Sequence, residues 1–271
     1  MRHLALLVLV ACHATSGPGV NPTQPVSETA AEPSAAEPGA PSTLPPRIAA
    51  DLDLGTSVEG RPIRYMLRID PAHDPAADPP LETVLILATI HGNEHAGTPL
   101  VELLAGELAR DGTALAGKRL VLLPVANPDG FAADRRGNAS GVDLNRNFDS
   151  ANWGARRGGA TPLSEPESRA ILRLLERHPP DRVVSIHQPV AVIDYDGPGE
   201  DFAVAVGAAA GLPVERIGSR PGSLGSYVGL DLGLPILTVE LARGAEDLPD
   251  AELWERYGAM MLACVRWSPA D

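Results

Sequence analysis

The segment VLILATIHGNE, Val84 to Glu94, joins an unbroken apolar run to a His and a Glu. A short run that is apolar at every position, and not at alternate ones, reads as a strand covered on both faces. It stops at His91, and Glu94 follows three residues later across Gly92 and Asn93. Two metal donors at that spacing, beyond a strand end, can reach one ion. They leave room for a third ligand from elsewhere and a water, as in a catalytic zinc site.

Working outward, short apolar strands alternate with helical patterns. Strands are expected at Arg61–Ile69, Val84–Thr89, Leu120–Pro124, Val183–His187, Val190–Tyr195 and Ile236–Glu240. Helices are expected at Thr98–Arg110, Glu165–Arg177, Asp201–Ala210 and Pro249–Trp267. Ser164, with Glu167 three residues on, matches a capping box. This order predicts a single α/β domain: a mixed, mostly parallel twisted sheet with helices on both faces. Ligands in such folds collect at the carboxyl ends of strands. His91, His187 and Glu240 all fall at or just beyond such ends.

The chain has 271 residues, and the first 48 do not read as globular. Arg2 and His3 precede an apolar core, Leu4 to Ala11, too short to span a bilayer. That core ends in Leu9-Val10-Ala11-Cys12, which resembles a lipobox. Residues 1–12 are therefore expected to be a lipoprotein-type signal, with a lipid on Cys12 as the sole membrane attachment. Residues 13–48 are rich in Pro, Ala, Ser, Thr, Gly and Glu and read as a disordered tether. Residues 49–271 remain for the catalytic domain, roughly 220 residues, which suits one domain better than two. An exported, membrane-anchored protein facing the periplasm or cell envelope is expected, and a monomer.

The net charge is -13, and only three of the 35 acids lie before residue 49. An acidic domain argues against nucleic acid, whose phosphates need Lys and Arg. Cys264 falls in a helical pattern with Leu253, Met260, Met261 and Trp267, which suits a buried apolar role.

Of seven histidines, His3 and His13 lie in the signal and tether, and His73 in a Pro/Asp-rich loop. His178 follows a helix end, where a cationic cap is the plain reading. His91, His95 and His187 remain. His91-Gly-Asn-Glu94-His95 also matches H-x-x-E-H, the inverted zincin motif, but that motif needs a helix through all five residues. Here a strand enters and Gly-Asn favours a turn, with a helix starting only after Gly97. His95 is then a neighbour that lines the site. Asn127-Pro128-Asp129-Gly130 is a turn signal. In GVDLNRNF, Arg146 beside Asn145 can grip a terminal carboxylate, because guanidinium offers paired donors in a fixed fork. Arg135 and Arg136 supply a second cation. Glu240 closes an apolar strand, where a salt-bridge partner is the ordinary reading and a general base the catalytic one.

Taken together and in order, these segments resemble the zinc metallocarboxypeptidase (carboxypeptidase A-like, funnelin) family. The resemblance runs from GTSVEGRPI at Gly55 through HGNE, NPDG, GVDLNRNF and Ser164-Glu-Pro-Glu167 to SIHQP and TVEL. It implies one zinc ion held by His91, Glu94 and His187, with Glu240 as the catalytic glutamate. It implies Asn145 and Arg146 as holders of the substrate's terminal carboxylate and Arg136 as the carbonyl-polarising arginine, with Arg135 as fallback. PGSLGSYVGLDLGLP and IHQPVAVIDYDGP resemble the bacterial murein peptide amidase branch. Members of that branch cleave γ-D-glutamyl-meso-diaminopimelate in cell-wall peptides, so a murein peptide is the implied substrate. One departure stands out. Digestive members place a mobile tyrosine just before the segment matching Gly222-Ser223, and this chain has Ile217 to Pro221 there. Two other readings remain open: an aspartoacylase-like amidohydrolase on small acylamino acids, and a non-catalytic binding lipoprotein on the same fold.

Overall fold

A computed structural model describes residues 48–269. The expected signal, Cys12 and nearly all of the tether lie outside the described residues. Seven strands form one sheet: β1 (Ile48–Thr56), β2 (Pro62–Ile69), β3 (Glu82–Ala88), β4 (Lys118–Leu123), β5 (Arg182–His187), β6 (Val190–Asp196) and β7 (Ile236–Ala242). Their spatial order is β1-β2-β4-β3-β5-β7-β6. The central strands β4, β3, β5 and β7 run parallel, and β2 and β6 flank them antiparallel.

The continuous apolar strands sit where both faces are covered. Val84, Ile86, Leu120, Leu122, Val184 and Ile186 pack on one face against α1 (Gly97–Arg110), α4 (Glu200–Ala210) and α5 (Asp250–Arg266). Their alternates Leu85, Leu87, Val121, Leu123 and Val183 pack on the other against α3 (Pro166–Arg177), Leu144 and Phe148. Cys264 is fully buried in the first cluster, as its helical spacing predicts.

Three local expectations are corrected. β1 is an edge strand absent from the sequence reading, because Asp51, Asp53 and Ala residues give it a weak strand signature. The Ser164–Glu167 capping box does not form, and Glu165 stands at the N-cap without a side-chain cap bond. Ser164 Oγ instead donates to Glu165 Oε1 at 2.7 Å, and Glu167 accepts from Val58 N–H at 3.1 Å and Asn138 Nδ2 at 3.0 Å. Tertiary donors thus capture the carboxylate that would have reached back. His178 is no cationic cap: burial, with Arg119 and Arg177 nearby, pushes its pKa down, and Nε2 meets the Tyr65 hydroxyl at 3.1 Å.

The NPDG turn is a single helical turn, α2 (Pro128–Ala132), capped by Asn127 Oδ1, which accepts from Gly130 N–H at 2.9 Å. Asp129 receives the β1–β2 turn: Ser57 Oγ donates at 2.7 Å, Glu59 N–H at 2.9 Å and Arg61 Nη1 at 2.6 Å. The opening motif and NPDG are therefore two halves of one knot. Gly92 and Gly130 lie against each other, and a Cβ on Gly92 would come within 2.0 Å of the Gly130 carbonyl carbon. Only glycine lets the HGNE turn approach the NPDG helix so closely.

Candidate metal centre and active site

Beyond the end of β3 the chain turns at Gly92 and Asn93, with Glu94 N–H bonded to the His91 carbonyl at 3.1 Å. Helix α1 begins at Gly97, so no helix runs through His91 to His95 and the inverted zincin arrangement does not form. Ala96 N–H donates to Gln188 Oε1 at 2.8 Å and ties the start of that helix to the residue after β5.

His91, Glu94 and His187 are all buried, and their donor atoms lie within 4.8 Å of one another. His91 Nδ1 is 2.7 Å from Glu94 Oε1, and His187 Nδ1 is 2.8 Å from Glu94 Oε2. The two Nδ1 atoms are 3.1 Å apart. Each ring is held by its other nitrogen: His91 Nε2 lies 3.1 Å from Asp143 Oδ1, and His187 Nε2 lies 3.0 Å from Ser185 Oγ. Burial alone would raise the Glu94 and Asp143 pKa values. The imidazoles beside them outweigh burial and hold both carboxyls well below the usual range. Two imidazole nitrogens and an ionised carboxylate converging at a buried site, with rings oriented from behind, fit a zinc ion.

Glu240 lies on β7 directly opposite His187 in the parallel ladder. Its Oε2 is buried and has no hydrogen-bond partner. Burial raises its pKa, against the pull of His187 and with a contribution from Glu94. A cavity of about 310 Å³ gathers His91, Glu94, Arg136, Asn145, Arg146, His187 and Glu240 along its walls. Every residue of the sequence-derived site thus faces one space.

Arg136 Nε donates to Asp143 Oδ2 at 3.1 Å, and its Nη1 lies 3.4 Å from Glu94 Oε1. Arg135 is exposed and does not line the cavity. Asn145 Oδ1 accepts from Leu224 N–H at 2.9 Å, and Arg146 donates to the Asn145 carbonyl. Burial lowers the Arg146 pKa, Asp143 opposes this, and Arg136 and Arg220 push the same way as burial. The wall around Arg146 is thus strongly cationic. His95 lies outside the cluster, 2.9 Å from Asp134 Oδ1, and lines a second cavity adjoining it. Tyr195 and Tyr227 do not line the cavity that holds His91, Glu94 and His187, and Tyr227 stacks on Phe148.

Sequence reasoning missed Asp143, which joins His91 to Arg136, and Ser185 behind His187. Asp143 stood in plain view in GVDLNR, but its partner His91 is 52 positions away.

Three buried side chains that could hold a metal ion, a carboxylate oxygen without a partner and an arginine-rich wall in one cavity define a metal-dependent hydrolase. A model of the zinc carboxypeptidase family matches residues 42–198. The chain belongs to that family. It is 34% identical over 238 residues to murein peptide amidase A of Escherichia coli (strain K12), covering 80% of this chain and 90% of the relative. The corresponding enzyme of Vibrio campbellii is 32% identical over 213 residues, 72% of this chain and 80% of that one. The crystal structure of murein-tripeptide amidase from Escherichia coli O157 matches with a TM-score of 0.63 at 30% identity, covering 82% of this chain and 94% of that chain.

Proposed function

We propose that this protein is a zinc-dependent peptidase that hydrolyses the γ-D-glutamyl-meso-diaminopimelate bond of murein peptides. The observation that carries the reading is the partnerless Glu240 Oε2, buried in the same cavity as the metal donors and Arg146. The names of the bacterial relatives support the substrate.

His91, Glu94 and His187 hold the zinc. Bound there, zinc supplies Lewis acidity toward a carbonyl oxygen and lowers the pKa of water to roughly 7. Asn145 and Arg146 bind the free carboxylate of the residue to be released, which fixes the register of the scissile bond. Arg136 donates toward the carbonyl oxygen as charge develops on it; losing one such donor typically costs about 10²–10³ in rate. Glu240 accepts a proton from the attacking water and passes it to the leaving amine nitrogen. The C–N bond breaks, and the products are a carboxylate and a free amine.

Incubation of the zinc-loaded protein with L-Ala-γ-D-Glu-meso-diaminopimelate, followed by mass spectrometry, should give free diaminopimelate. Intact tripeptide beside hydrolysed ordinary peptides would reject the substrate, and hydrolysis of acylamino acids alone would point to the aspartoacylase-like reading. The same proposal places the protein in the cell envelope, exported on residues 1–12 and anchored by a lipid on Cys12, acting as a monomer. The Arg2-His3 start and the Leu9-Val10-Ala11-Cys12 sequence support it. Cys12→Ala should move the protein from the membrane to the soluble fraction, and unchanged membrane partition would sink the anchor.

A further inference from the structure

The cavity carries more charge than hydrolysis uses. Asp194 and Asp196 stand two residues apart on β6, so both side chains leave the same face of the strand. Both line the cavity, and they are only 7% and 3% exposed. Neither forms an ion pair among the described residues. Burial, then the Asp194 charge, raise the Asp196 pKa. The cation that opposes them, Arg216, is exposed, packs 5.6 Å from the Tyr195 ring centroid and does not line the cavity.

Loop anchoring explains part of this. Asp194 Oδ1 accepts from Ile217 N–H at 2.8 Å and Tyr195 N–H at 2.9 Å, and Ser219 bonds to Asp196. Asparagines would anchor the loop as well, without setting two like charges in a poorly solvated wall. The anchored loop also presents Arg220 to the cavity, in the stretch Ile217 to Pro221. Its carbonyl accepts from Ser223 N–H at 2.9 Å and Ser226 Oγ at 2.8 Å, which fixes the backbone there. Its guanidinium has no carboxylate partner among the described residues. Unpaired anions and an unpaired cation in one wall match a ligand that brings both opposite charges.

We infer that Asp194, Asp196 and Arg220 form a specificity subsite for the side-chain end of the released residue, the aspartates taking an ammonium and Arg220 a carboxylate. The residue selected is a diamino dicarboxylic acid, with its main-chain carboxylate on Asn145 and Arg146. This rests on the proposed reading of the cavity as the place where that residue is released.

Four peptides that share L-Ala-γ-D-Glu and end in meso-diaminopimelate, lysine, 2-aminopimelate or norleucine carry both distal groups, the ammonium, the carboxylate or neither. For the zinc-loaded full chain, each distal group should raise kcat/KM on the order of 10- to 100-fold. Arg220→Gln should bring the diaminopimelate-to-lysine and aminopimelate-to-norleucine ratios close to one while keeping the advantage of the ammonium. Asp196→Asn should do the converse. Calorimetric binding of the four peptides to the Glu240→Gln form should follow the same order. Unchanged ratios, or an equal fall on all four peptides, would mean the residues are scaffolding and overturn the subsite. If Asp196→Asn does not fold, Arg220→Gln, on a loop, decides alone. Wild-type cleavage of all four at one rate removes the subsite and leaves the proposed function standing. Cleavage of none removes both.

Discussion

Replacing Asp143 tests whether the metal donors are oriented from behind. Its carboxylate serves three partners. Oδ1 meets His91 Nε2 at 3.1 Å and accepts from Asn145 N–H at 3.0 Å, while Oδ2 accepts from Arg136 Nε at 3.1 Å. Asp143→Asn keeps one oxygen. The Asn145 N–H favours keeping it at the Oδ1 position, beside His91. The new amide then points a donor at the Arg136 donor, so that contact is lost. One charge-assisted bond contributes roughly 1.5–3 kcal/mol, or about 10- to 100-fold. Asp143→Ala removes all three contacts, and losing a partner behind a metal-ligating His typically weakens metal binding about 10- to 100-fold. The two variants should therefore separate. Competition with a chromophoric chelator should show a modest loss of zinc affinity for Asp143→Asn and a large one for Asp143→Ala. At saturating zinc both should be slow, because Arg136 has lost its anchor. Zinc binding by Asp143→Ala within threefold of wild type would refute the orienting role, whatever the activity did.

Three further outcomes are expected. Glu240→Gln should bind zinc normally and lose about 10²–10⁴ in kcat; wild-type turnover would remove Glu240 as base. Glu82 pairs with both Lys118 and the fully buried Arg182, which lies 5.4 Å from the ring centroids of Phe202 and Trp267. Because Glu82 is 21% exposed, Glu82→Ala should cost roughly 2–3 kcal/mol, less than a fully buried pair, and lower Tm by about 5–10 °C; an unmoved melting curve would contradict it. Burial pushes the Cys264 thiol up to about 12, so alkylating reagents should reach it only in denaturant, as peptide mapping by mass spectrometry would show.

Chemistry written into neighbouring residues was legible in the sequence; chemistry made across the fold was not. The HGNE turn follows from Gly92 and Asn93, and the end of β3 from the end of an apolar run, so the donor pair could be read locally. His187 could be placed because it closes β5 and strand ends gather at one rim; Glu240 was read as the end of its strand, and although β7 runs on to Ala242 the parallel ladder still sets it opposite His187. The capping box failed although its spacing was correct. A four-residue pattern cannot register that Val58 and Asn138, 109 and 29 positions from Glu167, will claim its carboxylate. Asp143 escaped for the same reason. β1 escaped because an edge strand draws its stability from its neighbour more than from its own composition. The family motifs without reactive groups, GTSVEGRP, NPDG and SEPE, prove to be the ends of such long-range bonds.

The placement of Glu240 is at bottom a matter of register. β7 lies between β5 and β6, so Glu240 pairs with His187 on one side and Val192 on the other. Alternation along β7 puts Ile236, Thr238 and Glu240 on the cavity face and turns Leu237, Val239 and Leu241 into the core beneath α1, α4 and α5. A slip of one residue would drive Glu240 into that core and Val239 toward the metal donors. Burying a carboxylate among leucines costs far more than exposing a valine, so the charge that makes Glu240 useful also forbids the neighbouring register. The same ladder sets Asp194 opposite Thr238 and Asp196 opposite Ile236. Glu240, Asp194 and Asp196 are thus fixed relative to His187 by backbone hydrogen bonds, and the segments that carry Arg146 and Arg220 line the same cavity.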